Sequence, residues 1–104
     1  MRYVIGHISV RPGTREEFLG KAQSYVAASR ADAGCVYFDI TSKPDDPDGL
    51  VIIEHWADLA THVAHQERDY SAAFRPVAGQ YFLHAEFEEM TVPNVETVVV
   101  DIPR

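Results

Sequence analysis

Three stretches of the chain carry side chains that can move protons or hold a small molecule. Glu54-His55-Trp56 closes an apolar run, His62 and His65 follow, and Tyr70, Phe74 and His84 lie downstream. His62 and His65 are three residues apart, a spacing that puts both on one surface of a helix, where they could share a metal or act as acid and base. A third ligand would have to come from His7, His84 or Glu54, and no zinc-binding spacing is present, so no metal is expected. Alternation along a strand sends Glu54 and Trp56 to one face and His55 to the other. A tryptophan facing helices walls a pocket with a flat apolar surface suited to an aromatic ligand, and Glu54 or His84 can orient a polar group beside it. Tyr37, Tyr70, Phe74, Tyr81 and Phe82 add aromatic surface, most of it expected to be packing; Tyr70 is the one whose hydroxyl falls near a helix break.

The rest of the sequence must position these residues. With 104 residues, 46% of them apolar and 24% charged, the chain fits a single globular domain. Such a domain buries roughly two thirds of its unfolded surface, enough for a core without disulfides or a structural metal. Acidic residues outnumber basic ones 16 to 9, for a net charge of −7. Residues 1–52 hold 6 basic and 7 acidic side chains, and residues 53–104 hold 3 and 9. Nucleic acid and anionic membranes require clustered Lys and Arg, so neither is an expected partner. The lone Cys35 asks for no oxidising compartment and has no basic neighbour to activate it, so a structural cysteine in a cytoplasmic protein is expected. Met1 leads directly into an alternating run without the apolar stretch of a signal peptide, and no run approaches the ~20 residues of a membrane-spanning helix. Phosphate loops, G-x-S-x-G elbows and C-x-x-C pairs are absent from the sequence.

Element by element, Tyr3 to Val10 is a strand stopped by Arg11-Pro12-Gly13. Thr14-Arg15-Glu16-Glu17 has the pattern of a capping box, with Thr14 and Glu17 satisfying each other's backbone amides. Phe18, Ala22, Tyr25, Val26 and Ser29 then form the buried stripe of a helix that ends before Gly34. Cys35–Thr41 and Leu50–Trp56 are strands joined through the turn-forming Pro44–Gly49 segment. Asp58 caps a second helix with a break expected near Arg68-Asp69 and an end at Gly79. Tyr81–Met90 forms the last strand, with Tyr81, Leu83, Ala85 and Phe87 on one face and Phe82, His84 and Glu86 on the other. Pro93 ends it. The order β-α-β-β-α-β is that of an α+β, ferredoxin-like fold with an antiparallel sheet, as one domain over residues 1–92. Val51 and Ile53 on one face and Leu50 and Ile52 on the other make the sheet apolar on both sides, so a homodimer is expected to cover the face without helices. Residues 93–104 contribute Val95, Val98, Val99, Val100 and Ile102, a tail expected to pack on the partner subunit.

Gly34-Cys35-Val36-Tyr37-Phe38-Asp39, then Glu54-His55-Trp56-Ala57-Asp58, then Ala64-His65 at the end of a helix, together resemble the antibiotic biosynthesis monooxygenase family of dimeric α+β barrels. The likeness spans about residues 1–90. Where that family's pattern places a second histidine five residues after the first, this chain has Tyr70. Where its haem-degrading members carry an asparagine, this chain has Gly6 and His7. Neither haem chemistry nor a two-histidine role is therefore expected.

The resemblance implies a cofactor-independent monooxygenase acting on a small phenolic or quinol-type substrate with molecular oxygen. His65, which matches the family motif, would be the base: a neutral imidazole takes a phenolic proton, and the electron-rich anion left behind reacts with oxygen. Glu54 would assist catalysis, and Trp56, Tyr37, Tyr70, Phe74, His62 and His84 would shape the substrate site. Two other functions suit the same residues. One is isomerisation of a small polyhydroxy signalling metabolite, favoured by a more polar pocket. The other is non-catalytic ligand binding in a stress response, favoured by a pocket closed by side chains.

Overall fold

The computed structural model describes residues 1–103. The element order is β1 (Arg2–Val10), α1 (Arg15–Ala31), β2 (Cys35–Ser42), β3 (Gly49–Trp56), α2 (Leu59–Glu67), α3 (Asp69–Tyr81) and β4 (Phe82–Thr91). The strands form one antiparallel sheet in the order β2-β3-β1-β4, the ferredoxin-like pattern, and the sheet is open. Register fixes which side chains share a face. Val4 lies opposite Glu54 and Glu89, Gly6 opposite Ile52 and Phe87, and Ile8 opposite Leu50 and Ala85, so these residues face the helices. The core between the layers holds Ile8, Val10, Phe18, Ala22, Phe38, Leu50, Ile52, Trp56 and Tyr81, all buried.

Local chemistry explains most boundaries and corrects several. The capping box expected at Thr14 does not form: its hydroxyl turns back to donate to the Arg11 carbonyl at 2.6 Å, and α1 has no side-chain cap. A box forms instead at α2, where the Asp58 carboxylate accepts from the Thr61 amide at 2.8 Å and the Thr61 hydroxyl lies 3.4 Å from the Asp58 amide. Gly34 has φ +81°, and a Cβ there would come within 2.5 Å of the Thr61 side chain, so only glycine lets β2 begin this close to α2. The expected break between helices falls at Arg68, whose extended backbone (φ −65°, ψ 151°) separates α2 from α3. Gly79 does not end α3. The helix runs through Pro76 and Gly79 to Tyr81, because Tyr81 is buried against Phe18 and its hydroxyl donates to Glu17 at 3.0 Å. Tertiary anchoring outweighs the local stop signal, and β4 starts at Phe82. The β1–β4 register shifts at Ser9/Val10, leaving Leu83 exposed while Phe82 and Ala85 pack against the core. Leu83 and Tyr81 therefore do not share a strand face with Ala85 and Phe87. Beyond Pro93 the described tail is irregular, with Val98, Val99, Val100 and Ile102 exposed; Arg104, the last residue of the expected tail, lies outside the described residues.

Candidate active site

A cavity of about 400 Å³ opens between the helix-facing side of the sheet and α1–α3. Its apolar walls come from β1, β3, β4 and the helices: Val4, Ile8, Ile52, Phe74, Phe82 and Phe87. Gly6 shapes the sheet side, because any Cβ there would lie 2.7 Å from the Phe87 ring. The glycine lets that ring lie over β1, where it remains half exposed.

His65 is the centre of the polar groups. It is nearly fully buried, at 3% exposure, and both ring nitrogens are engaged. Nδ1 lies 2.7 Å from the Tyr70 hydroxyl, and Nε2 lies 3.1 Å from the Tyr25 hydroxyl. Tyr70 in turn donates to Asp32 Oδ2 at 2.6 Å. A phenol has one proton to give. Since Tyr70 gives its proton to the carboxylate, it must accept from Nδ1–H, which assigns the neutral ring as the Nδ1–H tautomer and leaves Nε2 to accept from Tyr25. Arg68 bridges the Asp32 carboxylate, its Nη2 donating to Oδ1 at 3.0 Å and its Nε to Oδ2, the oxygen that also accepts from Tyr70, at 3.2 Å. Burial acts to raise the Asp32 pKa, but the bonds from Arg68 and Tyr70 outweigh it and hold the carboxyl ionised. Burial lowers the His65 pKa to about 4, with the nearby His62 ring adding to the effect, so His65 is neutral at ordinary pH. Burial raises both tyrosine pKa values, assisted at Tyr25 by the charge of Glu54 and at Tyr70 by Asp32.

Glu54 sits on β3 with 6% exposure, and its Oε1 accepts from Trp56 Nε1 at 2.9 Å. Burial pushes its pKa up to about 7 despite that bond. Oε1 also lies 3.9 Å from His62 Nε2 and 4.0 Å from His65 Nε2. With Glu54 raised to about 7 and His65 lowered to about 4, both groups are neutral between about pH 4 and 7, and the proximity is not an ion pair. His62 is fixed from the other side, where Arg2 Nε donates to Nδ1 at 3.2 Å. Among the described residues no three His, Cys, Asp or Glu side chains group to hold a metal ion.

The structure brings His65, Glu54, His62 and Phe74 to the cavity wall. Tyr70 is bonded to His65 from behind. Trp56 is fully buried, and its indole supports Glu54 instead of forming a wall. Tyr37 lies opposite His55, and His84 opposite Ser9, on the sheet face turned away from the helices, so neither reaches this cavity. Both are largely exposed; His84 pairs with Glu86 at 3.0 Å. Three residues of the network, Tyr25, Asp32 and Arg68, are not singled out as site residues by the sequence pattern. Tyr25 falls in the apolar stripe of α1, and its one distinguishing signal is a hydroxyl at a position where packing alone is served by Phe or Leu.

The model of the antibiotic biosynthesis monooxygenase family matches residues 1–77, and the chain belongs to that family. The Bacillus subtilis (strain 168) protein YcnE, named provisionally as a monooxygenase, is 38% identical over 68 residues, which is 65% of this chain and 72% of YcnE. Among solved structures, PA3566 from Pseudomonas aeruginosa superposes with a TM-score of 0.79 at 25% identity, covering 89% of this chain and 94% of its own. Rv0793 from Mycobacterium tuberculosis gives 0.81 at 18% identity, with 92% and 98% covered, a likeness of fold.

Proposed function

We propose that this protein is a cofactor-independent monooxygenase that oxidises a small phenolic or quinol-type substrate in the cavity between sheet and helices. The observation that carries the reading is the neutral His65, held with its accepting Nε2 at the wall of a cavity that is mostly apolar, with Glu54, His62, Gln66, Ser71, Arg75 and Glu89 as its polar lining. The substrate hydroxyl takes the place of Tyr25 at Nε2, or hands its proton to Tyr25 as Tyr25 passes its own to His65. Either route leaves a phenolate rich enough in electrons to react with oxygen. For a quinol the balance closes without an outside reductant: one oxygen atom enters the ring as hydroxyl, the other leaves as water, and the substrate ends as a hydroxyquinone. Glu54, protonated up to about pH 7, donates a hydrogen bond to a substrate oxygen, and His62 flanks it. Phe74, Phe82 and Phe87 supply flat apolar surface for the ring. A second copy of the chain covers the outer sheet face, where Tyr3, Ile5, Val51 and Ile53 are only partly buried.

Oxygen uptake by the purified protein against a panel of hydroquinones and polycyclic phenols tests the activity. Uptake above autoxidation is expected, falling roughly 100-fold or more in His65→Ala, the range for loss of a general base. Uptake that survives the substitution removes His65 as the base, and none across the panel removes the oxygenase reading.

A further inference from the structure

The base in this cavity is oriented by groups that do not line it. Asp32 caps the C-terminus of α1, Arg68 joins α2 to α3, and Tyr70 lies in the first turn of α3. All three meet behind His65. The Asp32 side chain is 6% exposed and, as a carboxylate, offers only acceptors. That fixes the direction of every proton in the row: Arg68 and Tyr70 donate to Asp32, Nδ1–H donates to Tyr70, and Tyr25 donates to Nε2. We propose that Asp32 and Tyr70 are positioning residues, a carboxylate–phenol pair that holds His65 in the Nδ1–H tautomer and keeps its Nε2 lone pair aimed at the substrate site. The logic is that of a base oriented by a third group, with a phenol inserted between carboxylate and imidazole. It rests on the reading of His65 as the base, but the tautomer can be measured apart from any activity.

Asp32→Asn tests this with little change of shape. With its amide oxygen in the Oδ1 position the new side chain keeps the bond from Arg68 Nη2, and its amide nitrogen, in the Oδ2 position, gives up the bond from Arg68 Nε and donates to Tyr70. The phenol proton then turns to Nδ1, and His65 is expected to switch to the Nε2–H form, donating to Tyr25. Nitrogen chemical shifts of the His65 ring, measured by NMR near neutral pH, read the change directly. In the unaltered protein Nδ1 should carry the proton; in Asp32→Asn and, separately, Tyr70→Phe the population should move to Nε2–H. Oxygen uptake should fall about 100-fold or more in Asp32→Asn while far-ultraviolet circular dichroism is unchanged. An Nε2–H ring in the unaltered protein, or the same tautomer in all three proteins, overturns the proposal. If the tautomer switches but no protein consumes oxygen, the positioning role stands and the oxygenase reading falls.

Discussion

Glu54 and His65 lie 4.0 Å apart and are both displaced by burial, in opposite senses. Their contributions to stability against pH are therefore opposed. Glu54 rises from its ordinary 4.5 to about 7, so the folded state holds an extra proton across that window and loses stability as pH rises through it. His65 falls from 6.5 to about 4, so the folded state lacks a proton the unfolded chain binds, and stability grows with pH over that range. In the overlap the two slopes cancel. Glu54→Gln removes one of them: unfolding in urea between about pH 4 and 6.5 should then show stability climbing with pH, by on the order of 3 kcal/mol. A flat profile in the variant would mean that His65 titrates normally and is not the neutral base assigned to it. The residues that sequence pattern missed share one trait. Tyr25 meets His65 from 40 positions away, and Asp32 meets Tyr70 from 38. No local spacing records such a meeting, whereas His62 and His65 stand out because one helix turn brings them together.

At the scale of elements, the approach of β2 to α2 hangs on one glycine. Gly34→Ala adds a methyl group 2.5 Å from Thr61 Cβ at a positive φ. The cost should be roughly 1–3 kcal/mol in a urea titration, the range for a strained backbone position, and an unchanged midpoint would show that the β2 start relaxes freely. Gly6→Ala acts on the cavity instead. The added carbon would sit 2.3 Å from Ile52 Cγ2 and 2.7 Å from the Phe87 ring, so the ring must lift away from β1. Larger polycyclic substrates should lose more affinity than single-ring hydroquinones, read as a KM ratio that shifts between the two classes. Periodicity made the order of elements legible, and the break at Arg68 showed in the interrupted apolar spacing of α2 and α3. The cap at Thr14 and the stop at Gly79 misled for one reason: each is a local preference, and the Arg11 turn and the buried Tyr81 outweighed them.

For the whole molecule, the open sheet bears on assembly. If a second copy covers the outer face, light scattering should give twice the 11.6 kDa chain mass, and Ile53→Asp should return it to one chain by placing a charge in the contact. A single-chain mass for the unaltered protein at micromolar concentration would remove the second copy. The apolar outer face was legible from the two-sided strand pattern of Leu50 to Ile53, but the destination of the exposed valines after Pro93 was not, because nothing in the described fold receives them.

Pairing face to face leaves both outer strands of the sheet with free backbone groups, and β4, with 10 residues, is the longer. Unprotected, such an edge recruits other chains strand by strand. Glu86, Glu88 and Glu89, all exposed, put like charges against any antiparallel copy that tries to zip onto it. Colloidal behaviour is thereby tied to the charge of that edge: replacing Glu86, Glu88 and Glu89 by Gln should produce β-rich aggregates, seen by light scattering, under conditions in which the unaltered protein stays dispersed.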